Sequence, residues 1–342
     1  MKIDELDYRL PPELIAQTPA EPRDSSRLLV IDRSKEGVEH RVFSELTDYL
    51  RPGDLMVFND TRVIPARFHA LKETGARLEF LLLKNLGDGR WTTLIRGRRK
   101  LRKGHVLTVE GAQDVRLAVE LGSGERGDDV AVFDESLDVI DMLNGIGEVP
   151  LPPYIRDFQG DTERYQTVLA RHEGSVAAPT AALHFTPELL ERIDAMGVER
   201  RTVTLDVGWG TFAPLEKDVL EENSLHSERV SVPPDTARAV LSAKAAKRRV
   251  IAVGTTAVRT LEGVYRQNLL KESWSGEVNI FITPGYEFNA VDAMLTNFHL
   301  PRTSLLSLVF AMASRDRILA AYEEAVLERY RFYSFGDAML IV

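Results

Sequence analysis

The 342 residues contain no cysteine. That single absence excludes disulfides, thiolate metal ligands and a cysteine nucleophile together. Long apolar runs are missing too. The longest, near residues 305–313, is too short to span a bilayer. The N-terminus, MKIDELDYRL, carries acids where a secretory leader is basic and then apolar. These gaps point to a cytoplasmic protein with no membrane partner. Positive charge is in deficit: 43 Lys and Arg face 52 Asp and Glu, a formal net charge of −9. An acidic chain does not hold nucleic acid by its overall charge, so such a partner needs a local basic patch. The seven histidines show no HxxxH or HxH spacing, so no metal site is expected. Internal repeats and low-complexity segments are absent.

What is present reads as a soluble globular chain, 44% hydrophobic and 28% charged. Residues 28–31 suggest a strand. A short amphipathic helix follows, with Val42, Leu46 and Tyr49 on one side. Residues 55–58 form a continuous apolar run, as in a strand buried on both faces. From 63 to 150 the texture changes. Short β-type runs at 77–83, 91–95, 106–109 and 130–133 alternate with glycine turns, and no helix is expected before about Leu137. This spacing suggests a small all-β barrel or sandwich. Pro-rich LPPYI at 151–155 marks its exit. Beyond it, helices at 187–196, 235–247, 255–261, 303–313 and 318–330 are interspersed with strands at 201–207 and 250–253. The alternation argues α/β with parallel pairing. The expected organisation is a discontinuous α/β catalytic domain, 1–62 and 151–342, with a small β domain inserted at 63–150.

One stretch lacks a regular period altogether: YQTVLARHEGSVAAPTAALHF, residues 165–185. Small, polar, irregular backbone between regular elements is where sites tend to sit. His172, Glu173 and His184 are its candidate acid–base groups, and Ser175 and Thr180 its candidate contacts. An ordinary surface loop is the plain alternative. The apolar run 55–58 ends at Asn59-Asp60-Thr61-Arg62. There Asp60 and Arg62 are candidate ligand contacts, against a simple Asx-capped turn.

Further along, DVGWGTF at 206–212 nearly matches the acidic, glycine-rich loop of Rossmann-like methyltransferases. The third glycine is missing, and Pro214 spoils an immediate helix. It reads better as a close-approach loop through Gly208, Gly210 and Thr211, or as a tight strand-end turn. In NSLHSE at 223–228, His226 stands two residues from Glu228, on the same side if extended. The pair is either acid–base or structural. Gly254-Thr255-Thr256 separates a buried strand from a helix start, where free N–H groups hold anions or are merely capped. Arg259, one turn on, suits a phosphate or a carboxylate. Asn297 and His299 end another apolar run. RGRRKLRK at 96–103 has six cations in eight residues. Against the acidic whole, Arg96, Arg98, Arg99, Lys100, Arg102 and Lys103 read as an RNA-backbone contact that senses shape, or as a solvated face.

Several blocks carry a resemblance. They are LIAQTPAEPRDSSRLLV at 14–30, RPGDLMVFNDTRVIPAR at 51–67, LPPYI at 151–155 and RYQTVLARHEGSVAAPTAALHF at 164–185. VGWGTFAPL at 207–215, VGTTAVRTLE at 253–262 and TNFHLPRTSLLSLV at 296–309 follow. Over nearly its whole length the chain resembles the S-adenosylmethionine:tRNA ribosyltransferase-isomerases of queuosine biosynthesis. The resemblance implies a barrel-like α/β domain interrupted by a smaller β domain. It implies S-adenosylmethionine as co-substrate, with no permanently bound cofactor. The partner it implies is a tRNA carrying 7-aminomethyl-7-deazaguanine at the wobble position. A monomer is expected. The product is epoxyqueuosine in tRNA, with adenine and methionine released.

In that chemistry the sulfonium acidifies the neighbouring C5′ hydrogens, adenine leaves best when protonated, and the acceptor amine attacks only when neutral. Each step wants a group titrating near neutrality. His172, Glu173, His184, Asp206, His226 and Glu228 are the candidates. Glu173, Glu228 and Trp209 suit the positive sulfur. Asp206 and Asn223 stand where the family pattern has histidine; aspartate can still act as a base, whereas asparagine does not titrate. Two other readings fit parts of the sequence: an S-adenosylmethionine-dependent tRNA methyltransferase, resting on DVGWGTF, and a non-catalytic RNA-binding module, resting on RGRRKLRK.

Overall fold

The structure, a computed structural model, describes residues 1–102, 104–124, 127–156, 158–208, 215, 217–223, 225, 227–267 and 269–342. The chain divides into two compact units. The first takes Met1–Thr61, Pro153–His172 and Pro179–Val342; the second takes Arg62–Pro152 and Glu173–Ala178.

Among the described residues the strands begin with β1 (Arg27–Ile31), β2 (Glu39–Val42), β3 (Leu55–Asn59) and β4 (Thr61–Val63). Next come β5 (Arg67–Leu71), β6 (Arg77–Gly87), β7 (Arg90–Arg96), β8 (Val106–Val109), β9 (Ala112–Glu120) and β10 (Asp129–Val132). The remainder are β11 (His172–Ser175), β12 (Glu199–Leu205), β13 (Glu228–Val232), β14 (Val250–Val253), β15 (Trp274–Val278), β16 (Ala293–Asn297) and β17 (Ala338–Ile341). The α-helices are α1 (Val139–Ile146), α2 (Pro187–Ala195), α3 (Pro234–Ala245), α4 (Thr255–Arg266), α5 (Ser304–Ala313) and α6 (Arg315–Leu327).

In the first unit nine strands form one sheet, in the order β15-β13-β12-β3-β14-β16-β17-β1-β2. The pairings β12–β3, β3–β14, β14–β16 and β17–β1 are parallel, and the rest antiparallel. Every residue of β3, β14, β16 and β17 is buried, as continuous apolar runs require of strands covered on both faces. One face packs Leu28, Met56, Phe58, Val253 and Leu340 against Phe43, Phe185 and Leu189. Helices α3 and α4 touch β3, β12 and β14.

The helix expected around 42–49 is a 3₁₀ helix, Phe43–Tyr49. Its buried residues, Phe43 and Leu46, are three apart, the period of a three-residue turn. Val42 instead ends β2 and is 40% exposed. The strand expected at 201–207 runs two residues earlier, as β12.

The second unit is a closed, wholly antiparallel barrel, β10-β7-β6-β5-β8-β9. Inside it Phe68 stacks on Phe80 at 5.3 Å, among buried Leu78, Leu82, Leu107 and Leu117. Asp88-Gly89 turns β6 into β7 with φ of 51° and 69°, the left-handed pair that matches strand twist in a two-residue hairpin. A Cβ at residue 89 would meet the Phe133 carbonyl at 2.6 Å, so glycine is required there. The molecule is thus α/β with an inserted small β barrel. The sheet of the first unit has an edge at β15 and another at β2; the strands that close on themselves belong to the second unit.

Candidate functional site

Parallel pairing of β3 with β12, Asn59 opposite Val203, brings the C-terminal ends of two strands side by side. In open α/β sheets the crevice beyond such ends is the usual place for a ligand. Asn59, fully buried, stitches the two ends. Its amide donates to the Leu205 carbonyl at 3.0 Å, and its Oδ1 accepts from Leu205 N–H (3.0 Å) and Thr61 N–H (3.2 Å). The bond from Thr61 N–H is the Asx cap that the strand end Asn59-Asp60-Thr61-Arg62 suggests; the two bonds to Leu205 have no local signal in the sequence.

That stitch fixes Asp60, Thr61 and Asp206 around His172. The buried Asp60 carboxylate accepts from the Thr204 hydroxyl at 2.8 Å through Oδ1. Its Oδ2 lies 3.8 Å from Nε2 of His172, whose side chain is 62% exposed. The Asp60 carbonyl also takes the N–H groups of Arg171 (2.8 Å) and His172 (3.3 Å). The Thr61 hydroxyl lies 3.3 Å from both the His172 carbonyl and Oδ1 of Asp206. Burial pushes the Asp206 carboxyl up, against the opposing pull of Arg229, Thr61 and His172. The result is an accessible imidazole backed by a buried carboxylate, with a second carboxyl that holds its proton more readily than usual. Such a set can both take and deliver protons. Arg171 also lines a cavity of about 430 Å³ with Leu169, Thr202 and Asp235.

His184 has a different environment. It is buried and stacked on Phe43 at 4.8 Å. Asn297 donates from Nδ2 to His184 Nε2 (3.1 Å) and to the Tyr333 carbonyl (3.2 Å), while its Oδ1 accepts from Thr180 (3.2 Å). This orientation makes Nε2 the acceptor, so Nδ1 donates to Ser26 Oγ at 2.7 Å. Burial, reinforced by Arg331 and Arg23, pushes the imidazole down to about 3. Thr180, His184 and Asn297 are therefore one network, buried at His184 and Asn297 and half-buried at Thr180. His299 is likewise buried and pushed down to about 3 by burial, with Nε2 against Thr296 Oγ1 at 2.9 Å.

Glu228 opens β13 and meets Arg259 of α4 at 2.6 Å, each side chain 4% exposed. Gly254, Thr255 and Thr256 form the entry to α4, with Gly254 at φ 90°, ψ 154°. In the second unit, Glu173 is exposed, Arg62 half-buried and Ser175 buried, its hydroxyl donating to the Ala177 carbonyl at 2.7 Å. Gly208 is half-buried. Trp209, Gly210, Thr211, His226 and Lys103 lie outside the described residues. Asn223 locks a loop through the Lys217 N–H and the Lys217 and Val219 carbonyls.

The basic run makes a single 3₁₀ turn, Arg98–Lys100. Arg98 forks onto Asp129 (2.5 and 2.9 Å). Arg96, Arg99, Lys100 and Arg102 are exposed, and Lys72 joins them by donating to the Lys100 carbonyl at 3.0 Å. Glu262, a residue without a sequence signal, is fully buried. It accepts from the N–H groups of Asn289 (3.1 Å), Ala290 and Val291 (2.9 Å each) and from Tyr286 OH (3.0 Å). It anchors the 286–291 loop to α4. Among the described residues no three His, Asp or Glu side chains form a metal-binding group, and no helix is long and apolar enough to cross a membrane.

The sequence model of a family described as queuosine biosynthesis protein matches residues 3–341. A protein of Thermotoga maritima named S-adenosylmethionine:tRNA ribosyltransferase-isomerase is 49% identical over 342 residues, covering all of both chains. Proteins of the same name from Symbiobacterium thermophilum and Heliobacterium modesticaldum are 48% and 49% identical, again over all of both chains. A crystal structure of an S-adenosylmethionine tRNA ribosyltransferase from Thermotoga maritima matches at a TM-score of 0.57 with 40% identity, covering 99% of this chain and all of that one. With a family match from end to end and relatives at this identity, the chain belongs to the queuosine biosynthesis protein family.

Proposed function

We propose that this chain transfers and isomerises the ribosyl moiety of S-adenosylmethionine onto 7-aminomethyl-7-deazaguanine at the wobble position of a tRNA. Epoxyqueuosine-tRNA forms, and adenine and methionine leave. The observation that carries the reading is the His172–Asp60–Asp206 cluster, in a chain whose full-length relatives bear the ribosyltransferase-isomerase name. The reaction removes a proton beside the sulfonium, delivers one to the departing adenine, and sends the C–S electron pair out with methionine. In this reading His172 takes a proton, Asp60 orients the imidazole and steadies its cation, and Asp206 exchanges the second proton. His226 and Glu173 remain candidates for the same work.

Both ring nitrogens of His184 are engaged in a buried network. Its role is then to position Asn297 and Thr180. His299, with its ring nitrogen against Thr296, has a positioning role of the same kind. The inserted barrel contacts tRNA through its basic turn. The enzyme works in the cytoplasm as a monomer. Methyl transfer is not favoured, because the relatives carry the other name and the glycine fingerprint is incomplete. A purely RNA-binding role leaves the imidazole–carboxylate cluster without a purpose.

Labelled co-substrate tests the reading. With tRNA bearing the aminomethyl base, ribose label should enter tRNA, methyl label should leave on methionine, and one adenine should appear per turnover. Methyl label in tRNA would overturn it. His172→Ala should lower turnover by a factor on the order of a hundred with tRNA binding intact.

A further inference from the structure

We propose that Glu228 and Arg259 are the receptor for the amino-acid end of the sulfonium co-substrate. The guanidinium takes its α-carboxylate, and the carboxylate takes its α-ammonium. This rests on the ribosyl-transfer reading and adds the group of the co-substrate that the pair recognises.

The two charges lie 2.6 Å apart, each side chain 4% exposed. Removing an ion pair from water this completely is often no gain in stability over an apolar pair. Nη1 of Arg259 meets Oε2 of Glu228. Its Nε and Nη2 groups are buried and have no hydrogen-bond partner among the described residues. Those two N–H groups share one edge of the guanidinium, the edge that grips a carboxylate through two parallel bonds.

A second polar group lies on the same helix. Thr256, one turn before Arg259, is 7% exposed, and its hydroxyl also has no partner among the described residues. It lies 3.6 Å from where a Cβ on Gly254 would stand, so it is aimed at the entry to α4. Val258 is the first N–H used within the helix, bonding the Gly254 carbonyl. The N–H groups before it belong to a helix N-terminus, which favours an anion. Gly254 itself adopts φ 90°, ψ 154°. Only glycine enters that region readily, and such conformations gather at ligand clamps.

Glu228 decides the class of ligand. A tRNA phosphate placed on Arg259 would meet a carboxylate 2.6 Å from the same guanidinium and be repelled. A zwitterion instead brings an anion for Arg259 and a cation for Glu228. Each buried charge of the pair then faces an opposite charge of the ligand. The location agrees: the neighbouring Arg229 accepts the Asp206 N–H at 3.0 Å through its carbonyl, which ties the start of β13 to the proton-transfer cluster.

Calorimetric titration of the full chain without tRNA tests this, using S-adenosylmethionine and its decarboxylated analogue. Loss of the carboxylate should weaken binding by a factor on the order of fifty, the scale of a two-bond, charge-assisted contact. Thr256→Val and Arg259→Lys should weaken the parent compound and bring the two ligands closer together. Equal affinity of the unaltered protein for both would overturn the proposal while leaving the labelling result, and so the reaction, standing. No binding of S-adenosylmethionine at all would remove both. Weakened tRNA binding in Arg259→Lys, with the ligand preference retained, would reassign the pair to RNA phosphate and overturn it as well. The analogue comparison needs no variant, so a poorly folded substitution does not leave the question open.

Discussion

At the scale of single residues, burial separates side chains of the same type into different chemistries. His172 is open beside a buried carboxylate; His184 and His299 are sealed and neutral. Sequence texture marks His172 and His184 alike as acid–base candidates and His299 as the polar end of an apolar run, because exposure is not written in a local pattern. Asp206 shows how such an environment acts on stability. Its carboxyl is pushed up by burial. A raised acid favours folding where it is neutral, below the ordinary carboxylate value of about 3.9, and costs stability as pH rises through its folded value. Asp206→Asn keeps an oxygen to accept from Thr61 and removes the ionisation. Its melting temperature should therefore exceed that of the parent at pH 7 to 8, and the gain should shrink towards pH 4. Turnover should fall by a factor on the order of a hundred, if Asp206 exchanges a proton as proposed. A variant with parental turnover at every pH would make Asp206 a structural residue.

At the scale of elements, the basic turn is the case where position alters a plain reading of charge. Six cations in eight residues suggest six phosphate contacts, but Asp129, 31 positions away, captures Arg98. In exchange the strand that ends at Leu71 brings Lys72 to the turn. Removing one cation that neutralises a phosphate should lower the log–log salt slope of tRNA binding by roughly 0.7 to 0.9. The triple change Arg99→Ala, Lys100→Ala and Arg102→Ala should therefore reduce it by about two to three, and Lys72→Ala by about one. Arg98→Ala should leave the slope nearly unchanged and instead destabilise the barrel, because the buried Asp129 would lose its charged partner and keep only the Gly122 N–H. An unchanged slope in the triple variant would remove this turn from the RNA surface. Helix α4 teaches a related lesson. Its glycine-threonine entry was visible as a strand–turn–helix signal. Glu262, on the same helix, has no such local signal, and its partners come from the 286–291 loop folded against it.

For the molecule as a whole, acid sensitivity follows from the two sealed histidines. Each is pushed from 6.5 to about 3, by burial foremost. The stability they contribute is complete above 6.5, where the unfolded chain is also neutral, and is lost as pH falls towards 3. The loss is on the order of 5 kcal/mol per histidine over that window. The free energy of unfolding should therefore drop steeply between pH 6 and 4, and His299→Gln should flatten the slope by up to about 1.4 kcal/mol per pH unit. A flat profile in the parent would mean that both imidazoles gain protons without unfolding. The class of the molecule was legible before any of this. Doubly buried strands announce themselves as unbroken apolar runs, the barrel as short strands between glycine turns, and the family as long ordered blocks. All of these are signals carried within a few residues. The site itself was only partly legible. Asp60, His172 and Asp206 could each be nominated, but not joined, since the pairing of β3 with β12 unites positions 146 apart through Asn59. Register and burial are properties of packed strands, set by which faces meet across the sheet. Which carboxylate backs which imidazole was therefore decided by the folded chain and not by local pattern.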